Sequence, residues 1–201
     1  MYALLASPGE GIKSIGVLTL STAGKTVSSQ LINVYKLKDI KTKDAVDQLT
    51  KEYSTDLKEA FATTSSRLAA TDTSGVRIVE NSETNLGDLA ADAYRAVTGA
   101  DIAFVEASEL KADIAVGGMS YNDVIRALPG NKNISVVKVS GFDLMDALEM
   151  STRLYPNRNS GFLQVSGVTF DIQETVIPSV TVDGLGNFVS VDDDYRVTNV
   201  M

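Results

Sequence analysis

The sequence predicts an α+β protein, with a largely mixed or antiparallel β-sheet flanked by helices and preceded by a β-hairpin and a linking helix. Three observations carry this expectation. Stretches rich in β-branched residues and stretches with apolar spacings of three and four both recur, but they do not alternate strictly. Small polar residues stand where helices should start, with an acidic residue three positions on at two of them. No apolar run approaches the roughly 20 residues that cross a bilayer, which leaves a 44% hydrophobic share for a globular core.

The elements follow in order. Residues 12–36 read as a hairpin, with β-rich stretches over 12–20 and 27–37 and Ala23-Gly24-Lys25 as the turn. A polar linker, 38–43, leads to a helix capped by Thr42 and running to about Ala62. Its apolar positions, Val46, Leu49, Tyr53, Leu57 and Ala60, form one stripe, so it should lie on a surface. A second segment begins near Thr63. A short strand at 67–69 and a loop at 72–75 precede a strand bearing Arg77. Thr84 or Asn85 then caps a helix whose buried stripe is Leu86, Leu89, Ala90, Ala93 and Val97, closed by Gly99 in the left-handed position. Residues 101–105 read as a buried strand. Ser120 with Asp123 opens a short helix stopped at Pro129, and residues 134–139 read as a strong strand. Ser140 with Asp143 opens a helix to about Arg153, with Met145, Leu148 and Met150 as core. Residues 162–172 and 176–191 are strand-rich, with turns at Asp183-Gly184 and Gly186-Asn187.

Composition narrows the chemistry. The 201 residues suffice for one large domain, or for one domain and part of another. A net charge of −8 without a Lys/Arg cluster argues against nucleic acid as a partner. The first residues lack the basic start and apolar core of a signal peptide. The absence of cysteine excludes disulfides, thiolate chemistry and Cys-ligated zinc. The absence of histidine removes Ser-His-Asp and Cys-His nucleophile systems and every His-ligated metal site. Carboxylate sites for magnesium or calcium stay open, and Asp192-Asp193-Asp194 reads either as such a site or as a polar turn.

Residues 77 to about 172 carry an ordered series of short motifs: Arg77 followed by Glu83-Thr84-Asn85-Leu86-Gly87-Asp88-Leu89; Ala100-Asp101-Ile102-Ala103; Ala112-Asp113-Ile114 and Gly118-Met119-Ser120-Tyr121-Asn122-Asp123-Val124; Leu128-Pro129; Val139-Ser140-Gly141 with Ala147-Leu148-Glu149; and Gln164-Val165-Ser166-Gly167-Val168-Thr169-Phe170. In order and spacing this resembles the C-terminal domain of the 5′-nucleotidase family. The resemblance implies residues 1–40 as the end of a metallophosphoesterase-type domain, 41–62 as a linker helix, and 63–201 as the C-terminal domain, truncated at its C-terminal end. It implies an exported or cell-surface parent enzyme of nucleotide catabolism, acting on a nucleotide or other phosphorylated small molecule. The divalent metal pair of that enzyme would sit in an N-terminal domain, with no cofactor in this segment.

The same resemblance places substrate contacts at Arg77, Lys111, Gly130, Asn131, Lys132 and Gly161, and marks departures among them. Where the family has Asn-Gly-Gly-Gly-Ile-Arg, this chain has Glu106-Ala107-Ser108-Glu109-Leu110-Lys111, so Lys111 replaces a bidentate arginine beside two new acids. Where the family has Pro-Phe-Gly-Asn, an ungapped match gives Pro129-Gly130-Asn131-Lys132, without the ring that stacks on a base. Each feature also has a plainer reading. Arg77 can pair with Glu80 or Glu83, Glu83-Thr84-Asn85 is capping chemistry, and Lys111 with Glu109 and Asp113 is a solvated charged loop. Two functions follow: a substrate-specificity domain, inactive by itself, of a nucleotidase-type phosphohydrolase, or a non-catalytic binding or spacer domain descended from that family.

Overall fold

The computed structural model describes residues 14–21, 23, 26–33, 39–130, 132–192 and 194–201. The chain divides into two compact units, Met1–Asp56 and Leu57–Met201.

In the first unit, β1 (Ser14–Leu20) and β2 (Thr26–Asn33) pair antiparallel, with Val17 opposite Gln30. Of the expected turn, Gly24 and Lys25 lie outside the described residues. Helix α1 (Ile40–Lys58) starts earlier than the sequence suggests. Its cap is Asp39, whose Oδ1 accepts from the Thr42 amide and hydroxyl at 2.8 Å each. The apolar stripe Val46, Leu49, Tyr53 and Leu57 is exposed.

The helix also ends before Ala62, because β3 (Ala60–Thr64) pairs antiparallel with β5 (Gly117–Ser120). Leu68 forms a single bridge to Ile114, in place of a strand at 67–69. Arg77 bridges Thr71, and the chain then turns through one 3₁₀ turn, Ile78–Glu80, rather than continuing as a strand. Asp113 clips this region together, accepting from the amides of Ala70 (2.7 Å) and Thr71 (3.0 Å) and from the Thr71 hydroxyl (2.8 Å).

Helix α2 (Asn85–Thr98) is capped by Thr84 and closed by Gly99 at φ 68°. Its buried face is Leu86, Gly87, Ala90 and Ala91, with Tyr94 half-buried; Leu89 and Val97, expected inside, are 43% and 79% exposed, and Ala93 is exposed too. Leu86 and Ala90 of the expected stripe are kept, and the packed face turns from Leu89, Ala93 and Val97 toward Gly87, Ala91 and Tyr94, with Gln164 lying close against Gly87. β4 (Ala103–Glu106) pairs antiparallel with β6 (Leu163–Ser166), Glu106 opposite Leu163. These elements enclose a core of Leu68, Val79, Leu86, Val105, Leu110 and Phe162 among others.

Both capping boxes form: Ser120 with Asp123 opens α3 (Tyr121–Ala127), and Ser140 with Asp143 opens α4 (Gly141–Thr152). Leu148 of α4 is fully buried, while Met145 and Met150 are partly so. Residues 134–139, expected as a strong strand, pair with none of the described strands. β-branched residues favour strands through packing on a neighbouring pleat, and no described strand offers one here. β7 (Asp171–Ile172) pairs with β10 (Val197–Thr198), and β8 (Val180–Val182) with β9 (Phe188–Val191), all antiparallel. Glu149 of α4 anchors the terminal strand, its Oε2 accepting from the amides of Arg196 and Val197 at 3.0 and 3.1 Å. The class is α+β, and the described strands take the antiparallel arrangement as five two-stranded ladders rather than one continuous mixed sheet.

Candidate functional site

A cleft of about 280 Å³ opens at the C-terminal end of β4. Three pieces of chain build it. The β4–β6 ladder runs on past Glu106, with the Ala107 amide donating to Phe162 O (2.8 Å) and the Ser108 amide to Ser160 O (2.9 Å), which sets residues 160–162 beside Ala107. A 3₁₀ turn, Ala107–Glu109, then folds the chain back. The Lys111 amide donates to Ala127 O at 2.7 Å, holding this turn against the end of α3 and so against Leu128-Pro129-Gly130. Tyr94, Phe104 and Ile134 supply apolar wall, and Glu106, Glu109, Gly130 and Lys132 line the rest with their neighbours.

Of the expected contact residues, the cleft brings together Gly130 and Lys132. A Cβ at Gly130 would stand 2.7 Å from Glu109 Oε2, so the Glu109 carboxylate fills the space a side chain there would take. Lys132 Nζ lies 2.5 Å from Glu109 Oε1, and this hydrogen bond and charge raise the lysine pKa. Gly161 adjoins: its Cβ position would be 3.8 Å from Glu106 Oε1, and its backbone borders a second hollow of about 420 Å³ lined by Asp143, Met150 and Phe188. Arg77 is not a cleft-lining residue. Its Nε donates to Glu80 Oε1 (2.6 Å) and its Nη2 to Ala107 O (2.8 Å), the pairing with Glu80 that the plainer reading allowed. Lys111 is exposed away from the cleft lining. Asn131 lies outside the described residues, as does Asp193 of the acidic run.

Tyr94 and Phe104 are lining residues that motif matching passed over. Both carried a signal: Tyr94 stands four positions after Ala90 on the packed face of α2, and Phe104 belongs to the strand that ends at the motif.

The chain has no histidine, and no group of three or more His, Cys, Asp or Glu side chains that could hold a metal occurs among the described residues. No described helix is long and apolar enough to cross a membrane.

Comparison with known proteins agrees on one family. The family model "5′-nucleotidase, C-terminal domain" matches residues 60–200. A 5′-nucleotidase of Vibrio cholerae is 25% identical over 121 residues, 60% of this chain and 21% of that protein. An apyrase of Anopheles gambiae is 34% identical over 90 residues, 43% of this chain and 16% of that protein. The crystal structure of a 5′-nucleotidase precursor from Thermus thermophilus superposes with a TM-score of 0.60 at 21% identity, covering 90% of this chain and 38% of that one. The chain thus spans about a fifth of the length of these curated relatives.

Proposed function

This chain belongs to the 5′-nucleotidase C-terminal domain family, and on that premise we propose that it is the substrate-recognition domain of a secreted or cell-surface nucleotidase-type phosphohydrolase. In this reading water activation belongs to a metal-binding domain elsewhere in the whole protein, and the domain is inactive by itself. The supporting observation is the cleft at the end of β4, which Gly130 and Lys132 line and Gly161 adjoins. Phosphate-ester hydrolysis of this kind needs a metal site that lowers the pKa of bound water and clamps the phosphate. A chain without histidine cannot supply the His-containing metal set that the family resemblance implies, and recognition is the role this reading gives it.

The test is phosphate release from AMP with manganese, cobalt or zinc, run on the full-length protein and on this chain. Turnover by the full-length protein and none by the chain is the expected result. Turnover by the chain that survives repurification and follows its elution peak would overturn the division of labour. A second reading, a non-catalytic binding or spacer domain, draws on one observation: Glu106 stands where the family resemblance expects an asparagine, and Ala107, Ser108 and Glu109 where it expects glycines. A full-length protein that is metal-loaded yet silent toward nucleotides decides for it.

A further inference from the structure

We infer that the cleft at the end of β4 selects guanine among the nucleobases, and that the Glu106 carboxylate makes the choice by accepting hydrogen bonds from N1–H and the 2-amino group. This rests on the reading of the chain as a nucleotide-recognition domain and names the base that the same site prefers.

The first observation is a change of hydrogen-bonding capacity. Glu106 stands where the family resemblance expects an asparagine. An amide both donates and accepts, whereas an ionised carboxylate only accepts, through two oxygens side by side. Its best partner brings two adjacent donors. Among the common bases guanine alone does so, with N1–H and the 2-amino group on one edge. Adenine and cytosine set a ring-nitrogen acceptor next to their amino group, and uracil has one N–H between two carbonyls. Each of these turns a lone pair toward the carboxylate, and polar groups desolvated without a bond cost binding.

The second observation is that this carboxylate is available. Glu106 is exposed, lines the cleft and makes no hydrogen bond within the described residues. Lys132 lies in its field, but the ammonium is hydrogen-bonded to Glu109 Oε1, which leaves both Glu106 oxygens open. The ammonium keeps further N–H donors, and the remaining group of the guanine edge, the carbonyl O6, is an acceptor that a cation suits. One lining thus carries a cation for O6 and a carboxylate for the two donors beside it. Glu109 does not compete for that role, because Lys132 holds its Oε1 and its Oε2 fills the space in front of Gly130.

The walls suit a base as well. Tyr94 and Phe104 put ring surface on the lining, against which a purine can stack. The cleft opens to solvent, so a base can enter edge-first toward Glu106 with its ribose and phosphate left on the open side.

The experiment titrates the chain with GMP, IMP and AMP, following backbone amide shifts by NMR. Ribose and phosphate are common to the three, so the differences report the base. GMP should shift amides of residues 104–109 and 132–134 and bind about ten-fold more tightly than AMP, within the discrimination of one bidentate base contact. IMP keeps N1–H and lacks the 2-amino group, so it should fall between them. Glu106→Gln restores an amide, which can turn to pair with either purine edge, and should bring GMP and AMP to within about two-fold. Glu106 is exposed, so the variant keeps its fold. Equal affinities for GMP and AMP, tighter binding of AMP, or a GMP preference that survives Glu106→Gln would overturn the inference while leaving the recognition-domain reading intact. IMP binding as tightly as GMP would remove the 2-amino group from the contact and overturn it too. No saturable binding of any of the three would also overturn it, and phosphate release by the full-length protein then judges that reading separately.

Discussion

A single buried amide, Gln164, ties β6 to the stretch 79–84 that leads into α2. Its Nε2 donates to Val79 O (3.0 Å) and Ser82 O (2.7 Å), and its Oε1 accepts from the Thr84 amide (2.9 Å) and hydroxyl (3.1 Å). A Cβ on Gly87 would fall 2.0 Å from that Oε1, so Gly87→Ala must expel the amide or shift α2. The expected loss is about 2 kcal/mol or more. Gln164→Leu strands an amide and two carbonyls and should cost about 3 kcal/mol. Chemical denaturation measures both, and a loss below about 0.5 kcal/mol for either would contradict the hub role. The Thr84 cap was legible from local pattern, but its partner 80 residues away was not, because nothing local marks a buried amide. Asp88 offers a pH test. Burial, then the charge and hydrogen bond of Glu83, then Asp92, raise its pKa from 3.8 to about 6, and its Oδ1 is buried without a partner. The folded state therefore holds a proton that the unfolded chain releases between about pH 4 and 6. That contribution to stability is present below pH 4 and is lost as pH rises through about 6. Asp88→Asn should stabilise the protein at pH 7 by about 1 kcal/mol after discounting for solvent screening, and should flatten the stability profile between pH 4 and 7. An unchanged profile would show that the carboxyl is solvated.

The helix starts show which elements can be read from sequence. Each capping box is a closed local exchange. Ser120 Oγ accepts from the Asp123 amide while Asp123 Oδ2 receives the Ser120 amide and hydroxyl, and Ser140 and Asp143 repeat it. These hydrogen bonds lower the pKa of both aspartates, so their share of stability is present above the unfolded carboxyl range and lost as pH falls through the depressed values. The two boxes differ in setting: Ser120 is buried and ends β5, whereas Ser140 is exposed. Ser120→Ala should therefore cost about 1–2 kcal/mol and Ser140→Ala about 0.5–1 kcal/mol. Thermal or denaturant unfolding of the two variants would expose a reversed order. Elements that depend on distant partners were less legible. Residues 60–62 looked like the end of a helix because β5, the strand they pair with, begins more than fifty residues on. Residues 134–139 had the composition of a strand, but pairing is a property of two segments and no described strand meets them. The packed face of α2 keeps Leu86 and Ala90 of the expected stripe but turns toward Gly87 and Ala91, where a glycine, not a large side chain, marks the closest approach.

At the scale of the whole chain, the motif positions meet the cleft lining at Gly130 and Lys132, while the charge pairing there was not legible. Glu109 and Lys132 are 23 residues apart, and only the turn after β4 and the end of α3 bring them together. The division of the chain has its own test. Every described residue of α1 from Ile40 to Tyr53 is exposed, including the apolar positions that a packed helix would bury. A helix of 19 residues draws most of its stability in a protein from burying one face, so α1 should open readily on its own. Residues 60–200, in contrast, contain the buried core and the Gln164, Asp113 and Glu149 contacts that join distant segments. Limited trypsin digestion should therefore cut first within α1, which offers Lys41, Lys43, Lys51 and Lys58, and leave a resistant fragment that begins at or before Glu59 and retains the rest of the chain. Lys111 and Lys132 are exposed as well, but the hydrogen bond from the Lys111 amide to Ala127 and the Lys132–Glu109 pair tie both into the cleft walls. Mass spectrometry of the first products decides the matter. A primary cut after Lys111 or Lys132 would mean that the walls open more easily than α1, and the cleft would then be a mobile feature rather than a preformed one.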